Sequence, residues 1–278
     1  MASRTGVVIA ALAIALAACG SDGTGTASST TTTRPVRLAT GIALAGTDEI
    51  EPGYAQGVAP DGTGWILSGT SVVAHAASTG TIITKLMPAI PPEWAAQGYN
   101  HVGDVDVVGT TLYVPFERSD YERGEQAMAR YDAVTLRFID ATPVHQHHNS
   151  FVAVDPTARI AYSTDWFDDD ALLRYDLAHD WKPLRPLRLS RTLGHIQGGT
   201  VGGGQFFIST DDDRNGVYGV DLRTGAVRFL GSTGHGAGEA EGIAYTAPTR
   251  RRDRAELHTV TADVRIVPVY LDHWTITR

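Results

Sequence analysis

The sequence predicts an all-β protein, a five-bladed β-propeller with four-stranded antiparallel blades, preceded by a signal peptide and a flexible tether. Three observations support this prediction. The chain has 278 residues, of which 42% are hydrophobic and 19% charged, so it can bury a full core and is too apolar to be disordered throughout. Its first 35 residues differ in composition from the rest, and residues 36–278 repeat one pattern of short β runs.

Residues 1–18 have the pattern of a lipoprotein signal peptide. Arg4 supplies the positive charge, and the apolar run Val7 to Ala18 follows it. A helix needs about 20 residues to span a bilayer, so this run is too short and matches a signal-peptide core instead. The run ends in Leu-Ala-Ala-Cys19, which resembles a bacterial lipobox, and that resemblance implies that diacylglycerol is attached to the Cys19 thiol. An ordinary signal peptide followed by an incidental cysteine is the alternative.

Residues 19–35 combine this cysteine with a Gly-, Ser- and Thr-rich stretch that is typical of a flexible tether. We therefore expect an exported monomer that is held on the outer face of the cell membrane by its lipid. Cys19 is the single cysteine, which excludes an intramolecular disulfide framework and a CxxC metal site. The net charge of −8 argues against nucleic acid as a partner, because phosphate binding needs clustered Lys and Arg.

An internal repeat predicts the fold of residues 36–278. Five segments share one pattern, in which a polar residue with small neighbours is followed by a short β run, a turn, a second β run and a polar or acidic loop. Their anchor residues are Gln56, Asp104, Phe151, Gln197 and Glu241, at spacings of 48, 47, 46 and 44 residues. Four strands in a unit of this length are typical of a propeller blade. A β-sandwich is the alternative, but it does not account for the regular spacing.

The second half of the unit also repeats. A third strand ends in Asp132, Asp176 or Asp221, where the carboxylate is expected to accept backbone N–H groups in a tight turn. The last unit has only three strands and ends with Val267 to Thr277. We expect Val36 to Leu44 to supply its outer strand, because this pairing closes the ring and leaves no open sheet edge.

Residues near the start of each inner strand converge on the central channel of a propeller. They are Gln56, His101, Asp104, His148, Asn149, His195, Gln197, Glu239 and Glu241. Carboxylate and amide oxygens suit Ca²⁺, whereas imidazoles near carboxylates suit a transition metal or acid–base chemistry. The alternative is that these groups only bond to neighbouring backbone.

The candidate roles follow from these chemical types. Asp104, Asn149 and Glu241 are candidate ligands for Ca²⁺ or another divalent cation, and His101 and His148 are candidate catalytic groups. Gln56, His101, Gln197 and Glu239 are candidate ligand contacts in the channel. The acidic residues that follow the second strands are interpreted mainly as solvated loop acids: Glu117, Asp165, Asp168 to Asp170, Asp211 to Asp213 and Asp263. Glycines beside the inner-strand residues are expected to allow close approach of the strands.

Two resemblances add to these expectations. Glu241-Gly-Ile resembles inner strands of the SMP-30/gluconolactonase, phytase-like and YncE-like propellers. The gluconolactonase resemblance implies that Glu241 binds a central divalent cation, with Asp104 and Asn149 as partners. Tyr54-Ala-Gln-Gly-Val58 is similar to the first inner strand of plant-type glutaminyl cyclases, which implies a transferase.

Three functional hypotheses remain open on the sequence. The first is a lipid-anchored module that binds a small molecule or an envelope protein. The alternatives are a metal-dependent lactone or ester hydrolase and a glutaminyl-cyclase-like transferase. Asp104, Glu241 and a histidine within metal-bond range would favour the hydrolase, and a plugged channel would favour binding. The sequence has no Walker loop, GxSxG elbow or HExxH motif.

Overall fold

Five antiparallel sheets surround a common axis in this computed structural model, so the prediction of a five-bladed β-propeller is confirmed. The structure describes residues 37–167, 169–233, 238–249, 256–262 and 268–278. The signal peptide, the whole tether region with Cys19, Asp168 and Asp263 lie outside these ranges. Within the described residues, no helix is both long and apolar enough to cross a membrane.

The strands are numbered in chain order. The first seven are β1 (Gly41–Ile50), β2 (Gly57–Pro60), β3 (Gly64–Gly69), β4 (Val72–Ala77), β5 (Ile82–Leu86), β6 (Tyr99–Val102) and β7 (Asp106–Val108). The next seven are β8 (Thr111–Arg118), β9 (Gln126–Asp132), β10 (Phe138–Val144), β11 (Ala153–Asp155), β12 (Ile160–Ser163), β13 (Asp169–Asp176) and β14 (Lys182–Leu193). The remainder are β15 (Ile196–Gly202), β16 (Gln205–Thr210), β17 (Gly216–Val220), β18 (Val227–Ser232), β19 (Glu239–Thr246), β20 (Glu256–Ala262) and β21 (Val269–Thr277).

Helical structure in the described residues is limited to single turns. They are α1 (Pro92–Ala95) and two 3₁₀ turns, Tyr121–Arg123 and Leu177–His179. Blades 1 to 4 are formed by β2 to β5, β6 to β10, β11 to β14 and β15 to β18. Blade 5 has the order β19, β20, β21, β1 from the inside outwards.

The N-terminal strand closes the ring, as predicted, but it begins and ends later than the predicted Val36 to Leu44. β1 pairs antiparallel with β21, from Gly41 opposite Thr277 to Ile50 opposite Val269. The second half of β1 contains polar and charged residues. They fit there because β1 is the outermost strand of blade 5 and much of it faces solvent.

Blade 2 departs from the simple four-strand pattern. Its inner strand is divided into β6 and β7, which both pair with β8. Between them, Asp104 forms an isolated parallel bridge to Phe151 of blade 3. The inner strand therefore leaves its own sheet at Asp104 and contacts the neighbouring blade.

Each pair of adjacent blades encloses a separate hydrophobic cluster, so five clusters form the core. Successive side chains of a strand point to opposite faces, and each blade therefore contributes to two clusters. Ile66 packs between blades 1 and 2, whereas Leu67 packs between blades 5 and 1. Phe206 and Phe207 divide in the same way between the two sides of blade 4. This arrangement explains why the middle strands are apolar at consecutive positions.

The predicted aspartate turns are confirmed. Asp132 Oδ1 accepts hydrogen bonds from the backbone N–H groups of Val134 and Thr135, at 3.1 and 2.7 Å. Asp176 and Asp221 accept equivalent bonds from the residues two positions further along, each at 2.8 Å. These carboxylates fix the tight turns between the third and fourth strands of their blades.

Candidate functional site

The axis of the propeller is occupied by the side chain of Asp104, which is fully buried. Its Oδ1 accepts hydrogen bonds from the N–H groups of Val58 and Val105, at 3.0 and 3.1 Å. Its Oδ2 accepts bonds from the N–H groups of Gly199 and Ile243, at 3.2 and 3.1 Å. These four donors belong to blades 1, 2, 4 and 5, so one carboxyl group holds the inner strands of four blades together.

The backbone of Asp104 connects to the remaining blade. Its N–H donates to the Ser150 carbonyl at 2.7 Å, and its carbonyl accepts from the Val152 N–H at 3.1 Å. The inner strands approach so closely that a Cβ atom on Gly57 would lie 2.5 Å from the Asp104 Cα. A Cβ on Gly242 would lie 2.5 Å from Asp104 Oδ1. The channel is therefore closed at this level, and the expected close approach of the inner strands is confirmed.

The hydrogen-bond donors around Asp104 favour its ionised carboxylate, whereas its burial disfavours that form. Burial raises the pKa of its carboxyl group well above the ordinary value, and the N–H bonds from Ile243, Val58 and Gly199 oppose that effect. Four N–H groups point their positive ends at the two carboxyl oxygens. They occupy the positions that a cation bound to these oxygens would need. These contacts favour the structural interpretation of Asp104 over a role as a metal ligand. Among the described residues, no group of three or more His, Cys, Asp or Glu side chains is arranged to hold a metal.

A chain of polar side chains crosses the channel mouth, where the inner strands begin. Glu241 Oε1 accepts a hydrogen bond from Gln56 Nε2 at 3.3 Å, and Gln56 Oε1 lies 2.5 Å from His101 Nε2. His101 Nδ1 lies 3.5 Å from Glu117 Oε1, and His148 Nδ1 lies 3.7 Å from Glu117 Oε2. We call these five residues the mouth network. They come from blades 5, 1, 2 and 3, so only the folded ring assembles them.

Glu117 is the central acceptor of the mouth network. Besides the two histidines, it accepts hydrogen bonds from the Tyr121 hydroxyl at 3.1 Å and the Asn149 N–H at 2.6 Å. Burial by itself raises the pKa of Glu117, but the bonds from His101, His148 and Asn149 outweigh burial and bring the pKa to about 2. Glu117 is therefore a stable anion between two imidazole rings.

Aromatic rings form one side of the mouth. Tyr121 stacks on His148 with ring centroids 3.8 Å apart, and Trp166 stacks on His195 at 4.4 Å. Phe167 contacts His148 edge-on at 5.2 Å and is 59% exposed. These rings present a partly solvated aromatic surface next to the buried Glu117.

Carboxyl groups line another part of the mouth, next to His195. Burial raises the pKa of Glu241 well above its ordinary value, and the charges of Glu239, Asp211 and Asp104 raise it further. Burial and then the Glu239 charge raise the pKa of Asp211 to about 6. An open cavity of about 520 Å³ borders this side and is lined by Gly194, His195 and Asp211 to Asp213. The mouth thus combines mutually repelling acids with aromatic and imidazole rings.

The structure brings together most of the residues singled out in the sequence. Gln56, His101, His148 and Glu241 belong to the mouth network. Glu239 is exposed near Glu241, and no described residue forms a side-chain hydrogen bond with Gln197. The Asn149 side chain donates to the carbonyls of Phe116 and Ala127 and is fully buried, which is the environment of a structural amide.

Glu117 and Tyr121 are functional candidates that sequence reasoning undervalued. Glu117 was interpreted with the solvated loop acids, yet it is only 4% exposed. The repeat contains a signal that identifies it. Glu117 follows its anchor by the same number of residues as Gly69, Thr164 and Thr210 follow theirs, so an acid replaces a small residue at this position.

Comparisons with solved structures find distant likenesses. The structure of a luciferin-regenerating enzyme aligns with a TM-score of 0.51 at 12% identity, over 78% of this chain and 76% of that chain. Hydrazine synthase of Kuenenia stuttgartiensis aligns with a TM-score of 0.45 at 15% identity, over 82% of this chain and 64% of that chain. The Dos1 propeller aligns with a TM-score of 0.43 at 14% identity, over 78% and 67% of the two chains.

No protein-family model and no curated protein matches the sequence. At 12% identity, the alignment with the luciferin-regenerating enzyme shows a likeness of fold and no particular activity. The comparisons do not assign the chain to the gluconolactonase, YncE-like or glutaminyl cyclase families that its motifs resemble.

Asp104→Asn tests the axial carboxyl group. The amide keeps one oxygen but directs an NH₂ group at two backbone N–H donors, and each hydrogen bond to a charged group contributes about 1.5–3 kcal/mol. We expect the free energy of unfolding to fall by at least about 3 kcal/mol in urea denaturation. The control is Asp155→Asn, because Asp155 caps a peripheral turn through Thr157 and Ala158. A loss no larger than that of the control would contradict the axial role.

Glu117→Gln tests the buried anion through its pH dependence. Because the pKa of Glu117 is lowered from 4.5 to about 2 on folding, its carboxylate stabilises the fold above pH 4.5. That contribution is lost as the pH falls through about 2. We expect wild type to exceed the variant by about 3 kcal/mol at pH 7, with a smaller difference near pH 3, in urea unfolding. The exposed Glu122→Gln serves as control, and a difference independent of pH would refute this assignment.

Proposed function

We propose that this protein is a lipid-anchored binding module of the cell envelope whose channel mouth takes a small organic cation. The observation that carries the proposal is the pairing of mutually repelling carboxyl groups with aromatic rings above a closed axis. The closed axis makes the mouth a blind recess. A solute that enters it meets the mouth network and cannot pass through the ring.

The charges of the mouth favour a positive ligand. The charge of Glu239 raises the pKa of both Glu241 and Asp211, and the charge of Asp211 raises the pKa of Glu241 further, which means that these groups repel one another when ionised. A bound cation would relieve that repulsion. The overall net charge of −8 also attracts cations to the protein surface.

The aromatic side of the mouth suits the same ligand. Cations bind over the faces of Trp, Tyr and Phe, and this attraction contributes about 0.5–2 kcal/mol, with the larger values in desolvated sites. Trp166 and Phe167 lie edge to face with centroids 4.5 Å apart, so they offer two differently oriented rings. Since Phe167 is mostly exposed, its ring is accessible to a ligand without rearrangement of the core.

Envelope location rests on the sequence. The apolar run to Ala18, the lipobox-like Leu-Ala-Ala-Cys19 and the tether up to Pro35 together support export and lipid attachment. A tether of this length allows the propeller to turn its mouth towards solutes outside the membrane.

Ligand binding is tested by calorimetric titration of the purified chain with primary amines, quaternary ammonium compounds and guanidinium compounds, each beside a neutral analogue of the same shape. We expect saturable binding of at least one cation and none of its neutral analogue. Glu241→Gln removes a carboxyl group that a bound cation would hold in its ionised form, and it should weaken binding at least about tenfold, which corresponds to about 1.4 kcal/mol. The matched control is Glu51→Gln, an exposed acid beyond the mouth. Equal weakening by both variants, or no bound cation, would count against the proposal.

Lipid attachment is tested separately by Cys19→Ser. Wild type should be labelled by a fatty-acid analogue and recovered with membranes, because stable anchoring needs two or more acyl chains. The variant should lose the label and appear in the soluble fraction. Ser21→Ala is the matched control and should behave as wild type. A wild type that takes up no label and appears in the soluble fraction would instead favour an ordinary signal peptide.

Acid–base catalysis is a second candidate function, supported by one observation. Glu241, whose pKa is raised, is linked through Gln56 to His101, and a carboxyl group with a raised pKa in a cleft is typical of a general acid. This arrangement is compatible with the hydrolase and transferase hypotheses. Turnover of a lactone, an ester or a peptide with N-terminal glutamine, lost in Glu241→Gln, would favour this function over binding.

A further inference from the structure

Two histidines face each other on blade 5, away from the channel mouth. His258 of β20 and His273 of β21 are directly opposite in the strand register. Their Nδ1 atoms are 2.7 Å apart. Nothing in the proposed binding function uses this pair.

The outer nitrogen of each ring is held by another side chain. His273 Nε2 lies 3.1 Å from Asp48 Oδ2 on β1, and His258 Nε2 lies 2.8 Å from Thr246 Oγ1 on β19. A carboxylate only accepts hydrogen bonds, so His273 Nε2 carries the proton and its Nδ1 presents a lone pair in the neutral ring. At 2.7 Å one of the two Nδ1 atoms carries a proton, so in the hydrogen-bonded pair His258 Nδ1 donates to His273 Nδ1 and the Thr246 hydroxyl donates to His258 Nε2. When the Thr246 hydroxyl rotates to accept a hydrogen bond from His258 Nε2, the imidazole proton moves to that nitrogen and His258 Nδ1 also presents a lone pair. Both Nδ1 atoms then have the form that binds metals.

A cavity of about 430 Å³ opens beside the pair. Trp65 of blade 1 forms one wall and stacks against His273, with ring centroids 5.8 Å apart. Glu256 lines the same cavity. The space is sufficient for the water molecules or small anions that complete a coordination shell.

We propose that His258 and His273 bind a divalent transition-metal ion, such as Cu²⁺ or Zn²⁺, through their Nδ1 atoms, with solvent from the cavity as further ligands. Imidazole nitrogen suits these ions and disfavours Ca²⁺ and Mg²⁺. Asp48 does not bind the metal itself. Its carboxylate accepts a hydrogen bond from His273 Nε2 and so orients the His273 ring towards the metal, as in other carboxylate–histidine–metal arrangements.

The required movement is small. Metal–nitrogen bonds of about 2.0–2.1 Å place two ligand nitrogens about 2.9–3.4 Å apart at angles between a right angle and the tetrahedral value. The Nδ1 atoms at 2.7 Å must therefore separate by a few tenths of an ångström to somewhat more than half an ångström. The hydrogen bond between the rings is then replaced by two metal bonds. His273 is about one-fifth exposed, so it has room to move.

The alternative is a purely structural role. Thr246, His258, His273 and Asp48 form a continuous hydrogen-bonded chain across the four strands of blade 5. In that case these hydrogen bonds hold β1 to the rest of the sheet, and the two histidines do not bind metal.

The experiment uses the purified chain, made metal-free and carrying no histidine tag, in calorimetric titrations with Cu²⁺ and Zn²⁺. We expect one ion per chain at micromolar or tighter affinity, and nitrogen hyperfine splitting in the Cu²⁺ electron paramagnetic resonance spectrum. His273→Gln should weaken binding at least tenfold and remove the splitting from one nitrogen. Asp48→Asn should weaken binding about 10–100-fold, as outer-shell partners do, while leaving both ligands in place.

The control is His75→Gln, because His75 also bonds to a carboxylate, that of Asp61, but faces no second imidazole. It should bind metal as wild type does. Circular dichroism and thermal melting of each variant identify a failure to fold, and Asp48→Asn remains informative if His273→Gln is unstable. Absence of binding in wild type, or unchanged affinity in both Asp48→Asn and a folded His273→Gln, would overturn the proposal in favour of the structural chain.

Discussion

Every inner strand of this propeller depends on hydrogen bonds to one residue at its axis, Asp104. In a ring of five blades the inner strands lie so close together that some backbone N–H groups point at the axis and find no strand partner. A buried N–H without an acceptor is costly, and the small space excludes a bulky side chain. A carboxylate satisfies four such donors within one short side chain. The division of the blade 2 inner strand into β6 and β7 follows, because the backbone must leave its sheet to place this group.

The closure of the axis also determines where chemistry can occur. Gln56 and Glu241 directly precede Gly57 and Gly242, which pack against Asp104. The mouth network therefore lies immediately beside the closure and shares its rigid backbone. Side chains that bind or react are best held by such rigid elements, since small displacements weaken their contacts. The residues that close the channel thus also position the candidate site.

Much of the fold could be predicted because the repeat is regular. The anchors from Gln56 to Glu241 fixed the number of blades and the direction of each inner strand. The limits of β1 were predicted less well. An outermost strand pairs through its backbone and is largely solvated, so residues such as Asp48 and Glu49 carry no apolar alternation that would mark it.

The candidate site could be predicted only in part, for a different reason. The convergence of Gln56, His101, His148 and Glu241 follows from the propeller topology alone. The role of Asp104 does not, because its partners are backbone N–H groups, which every sequence contains. The pairing of His258 with His273 depends on the register of β20 and β21, and composition does not specify register.

The position of β1 has a consequence for the order of events during synthesis. Thr47 of β1 bonds to Asp272 of β21, and 225 positions of sequence separate them. β1 emerges from the ribosome first of all the strands, yet its partner is the last to appear. Until β21 is complete, the nascent chain therefore cannot close the ring, and the first and last blades each keep an unpaired strand edge. The segment enclosed by the final pairing is among the longest that the chain can form. Because the ring cannot close before synthesis ends, the unfinished chain can still pass through a narrow translocation pore.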